Sequence, residues 1–520
     1  MKESMFWADQ AARRIIKEKG NKKKYVCAAG ITPSGTVHIG NCREIFTVDI
    51  VARALKDLGK EVRFIYSWDD FDRIRKVPKN IPKQKEMEKY LFKSISEIPD
   101  PWGCHKTYAE HFEKNAEEHL PHVGVNPEFI RQSKMYGKCA YSSGIKKVLE
   151  NMDAIRKILN KFRKEPLEKD WHPVRVYCSK CNKEETKVTD WDGNYALTYE
   201  CKCGHKETFD FRKNGIAKLQ WRVDWPMRWD YEKVDFEPGG KDHSAPGGSY
   251  DAGKVILKTV WNRDAPVYLM YDFVTIKGVG GKMSSSLGNV ITLADVLKVY
   301  TPEVVRFFFA GTKPLKEFYF SFDEDVFKFY EDFYKGERIY YGKEKVPDRD
   351  KAHWSRVYEM SLIEKPAKEM PMQPGFRECV TLITKYSDPE KAVKSIPGLN
   401  KSNMNRYLAI LKRAKFWIEN YAPEQHKAIL QNSVSKEVLD KLKGKQKKAL
   451  RDFAKKLDDV KTEEDVKNLC FNVSKDNNIN LVDFFKAAYL VLLGNERGPR
   501  LAAFIMVIGK EKVKKLLEKI

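Results

Sequence analysis

Residues 30–41 read G-I-T-P-S-G-T-V-H-I-G-N, and the placement of this stretch decides the fold. Residues 25–29 before it are a short apolar run, and after it Ile45, Val48, Ala52 and Leu55 recur at helical spacing. The pattern predicts strand, tight turn and helix. Gly59 ends the helix and a second apolar run, residues 62–66, supplies the next strand, so residues 24–67 form a βαβ unit. In open parallel sheets ligands bind at the carboxyl ends of the strands, where helix N-termini offer unpaired N–H groups to anions. His38, Gly40 and Asn41 fall at that junction. Gly40 leaves room for a ligand against the backbone, and His38 and Asn41 supply donors.

About 240 residues later, residues 281–289 read G-K-M-S-S-S-L-G-N. Gly278, Gly280 and Gly281 allow this loop to move and to bring its backbone against phosphate oxygens. Lys282 supplies a positive charge, and Ser284, Ser285 and Ser286 supply hydroxyls. The first stretch resembles the HIGH signature of class I aminoacyl-tRNA synthetases, with Asn41 where the family usually has a second His. The second is similar to the KMSKS loop, with Ser286 in place of a second Lys, so Lys277 or Lys282 must carry the charge alone. The two stand in the right order, at a separation that fits two halves of a split sheet. The resemblance implies ATP binding by Pro33, Ser34, His38, Gly40, Asn41, Lys282 and Met283, and catalysis by His38, Asn41, Lys282, Ser284, Ser285 and Ser286.

The whole chain fits that frame. Its 520 residues suffice for two or three domains, and 42% hydrophobic with 32% charged residues fits a soluble globular protein. There is no apolar run long enough to span a membrane and no signal-peptide pattern near residue 1, so a cytoplasmic location is expected. The net charge of +23 favours a polyanionic partner, because Lys and Arg release condensed counterions when they neutralise phosphates. A generally basic proteome is the plain alternative, and charge alone does not separate RNA from DNA. Ten cysteines are too sparse for a disulfide scaffold in a chain of this length.

Two clusters have metal-ligand chemistry. Asp100, Cys104, His105 and His111 offer a carboxylate, a thiolate and two imidazoles, a set that four-coordinate zinc accepts; singly packed His and Cys are the plain alternative. Cys178-x-x-Cys181 and Cys201-x-Cys203, about twenty residues apart, fit a zinc ribbon. Cys178, Cys181 and Cys201 are expected ligands, and the fourth is Cys203 or His205.

Residues 68–73, W-D-D-F-D-R, place Asp69, Asp70 and Asp72 at a strand's end, either as a solvated turn or as a pocket wall for a cationic substrate. Residues 219–230, L-Q-W-R-V-D-W-P-M-R-W-D, interleave aromatics with Asp224 and arginines, and G-G-K-D-H at 239–243 is a Gly-Gly turn presenting His243. These stretches, together with D-x-W-G-C-H-x5-H and the ribbon, resemble class I lysyl-tRNA synthetases. That resemblance assigns Gly30, Thr32, Asp224, Trp225 and His243 to an amino-acid pocket, supports the Asp100 cluster as a zinc site and, through a C-x3-H pattern, favours His205 in the ribbon.

Beyond about residue 340 helical stripes dominate, among them Tyr407, Leu411, Ala414 and Trp417, and later Leu442, Ala449, Phe453 and Leu457. Lys441, Lys443, Lys445, Lys447, Lys448, Lys455 and Lys456 crowd one segment, a solvated face or an RNA-facing one. The expected architecture is α/β: a Rossmann-like parallel sheet (residues 1–95 and 216–340) split by a zinc-containing insertion (96–215), then an all-α anticodon-binding domain (341–520). The expected function is ATP-dependent ligation of L-lysine to tRNA(Lys) through a lysyl-adenylate, with Mg2+ on the ATP, one or two Zn2+, and neither DNA nor membrane as partner. The alternatives are a class I enzyme for glutamate or cysteine, a small-molecule nucleotidyltransferase, or a non-enzymatic RNA-binding relative.

Overall fold

The structure is a computed structural model that describes residues 6–278, 290–423, 426, 427, 431 and 433–520. The chain divides into two compact units, the first made of residues 1–296, 305–320 and 345–366 and the second of 297–304, 321–344 and 367–520.

The first unit is organised by a five-stranded, all-parallel sheet. Strand β1 (Lys24–Ile31) pairs in register with β2 (Glu61–Trp68) over its whole length, from Lys24 opposite Glu61 to Ile31 opposite Trp68. The helix Cys42–Asp57 makes the crossover, and its buried positions include Ile45, Val48, Ala52 and Leu55, the helical stripe of the sequence. Strand β3 (Glu128–Arg131) flanks β2. Two smaller sheets follow: β4 (Val174–Val176), β5 (Thr186–Trp191), β6 (Ala196–Cys201), β7 (Lys206–Asp210) and β8 (Ala217–Leu219) form an antiparallel β4–β8 pair and an antiparallel β5–β6–β7 ribbon. Strands β9 (Phe236–Gly240) and β10 (Val267–Tyr271) return to the main sheet, whose order is β10-β9-β1-β2-β3. A short parallel pair, β11 (Val274–Ile276) with β12 (Phe318–Phe320), completes the unit.

The expected boundary at residue 95 needs correction. Strand β3 lies inside the segment expected as an insertion and is bonded to β2 through Ile65 to Trp68, so residues 128–131 belong to the sheet. A second correction concerns the helical part: residues 297–304 and 321–344 cluster with the second unit, before the expected boundary at 341.

Burial explains why the parallel strands hold. Tyr25, Cys27, Ala28 and Ala29 in β1 and Ile65 and Tyr66 in β2 are all buried, as strands covered on both faces must be. Arg306, wholly buried, donates to Asp49 (2.8 Å) and to the carbonyls of Val123 and Met360, so its charge is paired and its donors are used.

The second unit is helical apart from its connections. In helix Lys401–Asn420 the buried residues are Tyr407, Ile410, Leu411, Ala414 and Trp417, and the Trp417 indole donates to the Phe322 carbonyl (2.8 Å). Ala449, Leu450, Phe453, Val466, Phe484, Val491 and Phe504 build a separate core. Thr462 caps its helix by a reciprocal box with Asp465, and Gly494 closes Leu481–Leu493 at φ 74°. Most of the crowded lysines on Gly444–Lys456 and before it are exposed. No helix among the described residues is long and apolar enough to cross a membrane.

Candidate active site

Two cavities open at the carboxyl end of the sheet. The first is lined by Gly30, Glu44, Asp69, Trp221, Trp225, Arg228, Trp229, Glu237 and His243, among others. The second is lined by Gly30, His38, Gly40, Asn41, Glu44, Tyr66, Gly240, His243, Tyr271 and Phe273. They share Gly30, Glu44 and His243.

The turn after β1 builds the second cavity. Asn41 N–H donates to the His38 carbonyl (2.9 Å), and the Asn41 side-chain oxygen accepts from the His38 N–H (3.0 Å). The amide oxygen is therefore engaged in the turn, and only Asn41 Nδ2 is a donor toward an anion. A side chain at Gly30 would place its Cβ 2.8 Å from the Ser67 carbonyl oxygen, so the tight β1–β2 contact at the cavity floor requires glycine.

Helix Trp221–Glu232 builds the wall of the first cavity. Trp221, Trp225 and Trp229 recur every four residues and share one face, with ring centroids 4.9 and 4.6 Å apart. The neighbouring stripe carries Asp224 and Arg228. The Arg228 guanidinium binds Asp69 with both terminal nitrogens (2.5 and 3.2 Å), Ser67 Oγ (2.9 Å) and, through Nε, Asp224 (3.3 Å). Asp224 itself is buried and takes the Tyr136 hydroxyl. Glu232, at the cavity edge, is paired with Arg63 (2.7 Å).

Glu44 and Glu237 differ from these. Glu44 accepts from the Gly30 N–H (2.9 Å) and from the Tyr271 hydroxyl (2.6 Å). Glu237 accepts one indole N–H on each oxygen, from Trp225 (3.0 Å) and Trp229 (2.6 Å). All four donors are neutral, and among the described residues no ion pair reaches either carboxylate. Burial pushes Glu44 up to about 7 and also raises Glu237. The cavity is thus a desolvated, aromatic-walled site with two carboxylates that make no ion pair among the described residues, Arg228 acting on Glu237 only from a distance.

Of the residues expected from sequence, Gly30, Trp225 and His243 line the first cavity and His38, Gly40 and Asn41 the second. Asp224 and Thr32 line neither of these two cavities. Asp224 is occupied behind the wall by Arg228 and Tyr136, and the Thr32 hydroxyl donates to Asp72 (3.1 Å), itself paired with Lys218. Pro33 is buried and Ser34 exposed, and neither lines either of these two cavities. Lys282, Met283, Ser284, Ser285 and Ser286 lie outside the described residues. Glu44, Glu237 and Tyr271 went unread, although an acid in the first turn of the helix after His38 and an acid two residues before Gly-Gly were the available signals.

Both cysteine-containing clusters are assembled. Around Cys104 Sγ stand His105 Nδ1 (3.1 Å), His111 Nδ1 (3.2 Å) and Asp100 Oδ2 (3.3 Å). A tetrahedral ion with ligand distances of roughly 2.0–2.3 Å requires donor separations of roughly 3.3–3.8 Å, close to these. Burial opposes ionisation of Asp100, but the N–H groups of His105, Trp102 and Cys104 outweigh it and hold the carboxyl below its usual range. In the ribbon Cys178, Cys181, Cys201 and Cys203 converge, with sulfur separations of 3.7 Å (Cys178 to Cys203) and 3.6 Å (Cys181 to Cys201). The fourth member of this cluster is Cys203, one of the two residues left open above, and His205 stands outside it. Gly204, at φ 83°, folds Cys203 back toward Cys178, while His205 leads into β7 and lies against Ser179 Oγ (3.1 Å) and Glu207 (3.4 Å). Burial would push the Cys178 thiol up, but the N–H groups of Cys181 and Lys180 and the neighbouring thiols bring it down to about 6, which favours the thiolate a metal needs.

The chain is similar to known proteins over nearly its whole length. Residues 5–364 match the family model described as tRNA synthetases class I (K), and residues 378–520 match one described as an anticodon binding domain. The chain is 46% identical over 517 residues to a lysine–tRNA ligase of Borrelia garinii subsp. bavariensis, covering 99% of each. It is 41% identical over 526 residues to a lysine–tRNA ligase of Pyrococcus horikoshii, covering 98% of this chain and 99% of that one. A solved glutamate tRNA ligase from Elizabethkingia meningosepticum aligns over 96% of this chain and 99% of its own at 14% identity, with a TM-score of 0.42.

Proposed function

The chain belongs to the class I lysyl-tRNA synthetase family, and from that premise we propose that the two cavities are its lysine and ATP sites and that it ligates lysine to tRNA(Lys). One observation supports the substrate most directly: lysine carries two ammonium groups, and the first cavity offers Glu44 and Glu237, each held by neutral donors. The tryptophan wall suits the aliphatic stem between them. A glutamate-specific pocket would need an unneutralised cation, and Arg228 is consumed by Asp69 and Asp224.

In the first step a lysine carboxylate oxygen attacks the α-phosphorus of ATP. That P–O bond forms as the bond to pyrophosphate breaks, giving lysyl-adenylate. The protein aligns two anions and stabilises charge on the phosphate in flight. His38 and Asn41 act from the turn at the helix N-terminus, and Lys282 with its serines from the second signature. Mg2+ bound with the triphosphate partly neutralises it. In the second step the 2′-hydroxyl of the terminal tRNA adenosine attacks the lysyl carbonyl and AMP leaves with the bond electrons. The exposed lysines around Gly444–Lys456 are suited to RNA phosphates.

Zinc at Cys178, Cys181, Cys201 and Cys203 would cross-link the ribbon, and zinc at Asp100, Cys104, His105 and His111 would cross-link the loop they close. Metal analysis of purified protein checks the ligand set: Cys203→Ser is expected to lose about one zinc per chain and His205→Gln to keep it. The opposite result would restore His205 as the ligand.

Charging of a purified tRNA pool with each of the twenty amino acids tests the function. Lysine alone should be attached. Attachment of glutamate or cysteine in its place, or ATP turnover that ignores tRNA, would refute the assignment.

A further inference from the structure

One side chain connects a loop outside the two cavities to the turn that builds the second of them. Residues 98–107 form a closed loop: Tyr108 N–H donates to the Ile98 carbonyl (2.8 Å), and Pro99 bridges Thr107. Asp100 gathers the N–H groups of Trp102, Cys104 and His105 at 2.8–3.0 Å, and the Cys104, His105 and His111 donors complete the cluster above it. Thr107 then caps the helix Tyr108–His119, accepting from the Glu110 N–H (3.2 Å).

Tyr108, the first residue of that helix, is fully buried among Ile74, Ile95, Ile98 and Phe112. Its hydroxyl donates to the Ser34 carbonyl at 2.7 Å. Ser34 belongs to the turn between β1 and His38, and its own N–H donates to Thr32 (2.8 Å). The other end of the helix is tied to the sheet. Arg131, ending β3, binds Glu113 and Glu117 (2.7 Å each), and the Trp68 indole, ending β2, donates to Glu117 (3.0 Å). The helix is therefore braced on the strand ends at one side and on the phosphate-side turn at the other. A buried hydroxyl left unsatisfied is costly, so the Tyr108 contact fixes the distance between loop and turn.

We propose that Tyr108 is a positioning residue for the ATP-side turn, and that the Asp100–Cys104–His105–His111 cluster sets the position of Tyr108. This rests on the ATP reading of the second cavity. Small displacements of aligning groups cost rate steeply, so the effect falls on ATP more than on lysine, whose wall comes from a different helix.

The test uses the full chain with Tyr108→Phe, which keeps the ring and removes only the hydroxyl. In lysine-dependent pyrophosphate exchange, kcat/KM for ATP should fall about 10-fold, while kcat/KM for lysine at saturating ATP stays within about threefold. Amide exchange across residues 34–38 should quicken. Cys104→Ala should give the same signature, and the double variant should be no worse than the poorer single one, because both act through one turn. Chelation of the parent protein should quicken exchange across residues 34–38, reversed by added Zn2+, whereas chelation should add nothing in Tyr108→Phe. Unchanged ATP kinetics and unchanged exchange in Tyr108→Phe, losses that multiply in the double variant, or equal chelation responses in parent and variant would overturn the proposal. A parent protein inactive with lysine would instead refute the functional reading, while the exchange arms would still decide whether the loop controls the turn.

Discussion

Replacing His38 with alanine is expected to lower kcat for lysyl-adenylate formation by about 10²–10³-fold, the usual loss when one preorganised donor to a developing negative charge is removed. His38 lines the second cavity but not the first, so the KM for lysine should stay within about threefold. The backbone of the turn is held by the reciprocal His38–Asn41 contacts, which use main-chain atoms of residue 38 and survive the substitution. Thermal stability should therefore change little. Pyrophosphate exchange on His38→Ala checks this, and undiminished kcat would mean that the imidazole takes no part.

The second large effect belongs to Glu44→Gln. Glutamine keeps the shape and can accept from the Gly30 N–H and donate to the Tyr271 oxygen, so the fold should be preserved. The negative charge is gone, and kcat/KM for lysine should fall about 100-fold or more, as when one partner of a buried charge pair is removed. The pH dependence supplies an independent sign. Burial raises Glu44 from the ordinary carboxylate range to about 7, so the free protein holds it protonated below that pH. An ammonium binds the ionised form, and kcat/KM for lysine in the parent should fall about tenfold per pH unit as pH drops below about 7. The variant should lack that limb. Stability runs the other way. A raised acid contributes stability that is complete below its unfolded value and lost as pH rises through the folded one, so the parent should weaken between about pH 4.5 and 7. The melting temperature of Glu44→Gln relative to the parent should accordingly rise across that window. A flat difference would place Glu44 in a more hydrated setting than its contacts imply.

Much of this was legible in the sequence, for reasons that differ by element. The βαβ unit could be read because the helix 42–57 buries its apolar stripe against one sheet, where periodicity speaks directly. His38, Gly40 and Asn41 could be placed because a strand-turn-helix junction fixes where an anion goes. The donor set around Asp100 was visible because ligand spacing within a short loop is nearly a geometric statement. Asp224 misled because its position on the helix, one residue before Trp225, looks inward without revealing that Arg228 and Tyr136 claim it first. Glu44 and Glu237 were hidden because their meaning depends on what does not neutralise them, and for Glu44 that is decided by a helix and a strand whose contacting residues, Glu44 and Tyr271, stand 227 apart in the chain. His205 lost to Cys203 through one positive-φ glycine, a backbone choice that residue spacing does not encode.

Strand β3 limits how this enzyme can be dismantled. Because the edge of the parallel sheet comes from residues 128–131, bonded to Ile65 through Trp68, removing residues 96–215 as a cassette would expose the flank of β2 and take away helix 108–119 together with the arginine that ties it to the sheet. A deletion has to begin beyond Arg131 to keep β2 covered, and a chain that lacks residues 96–131 should aggregate through the uncovered strand.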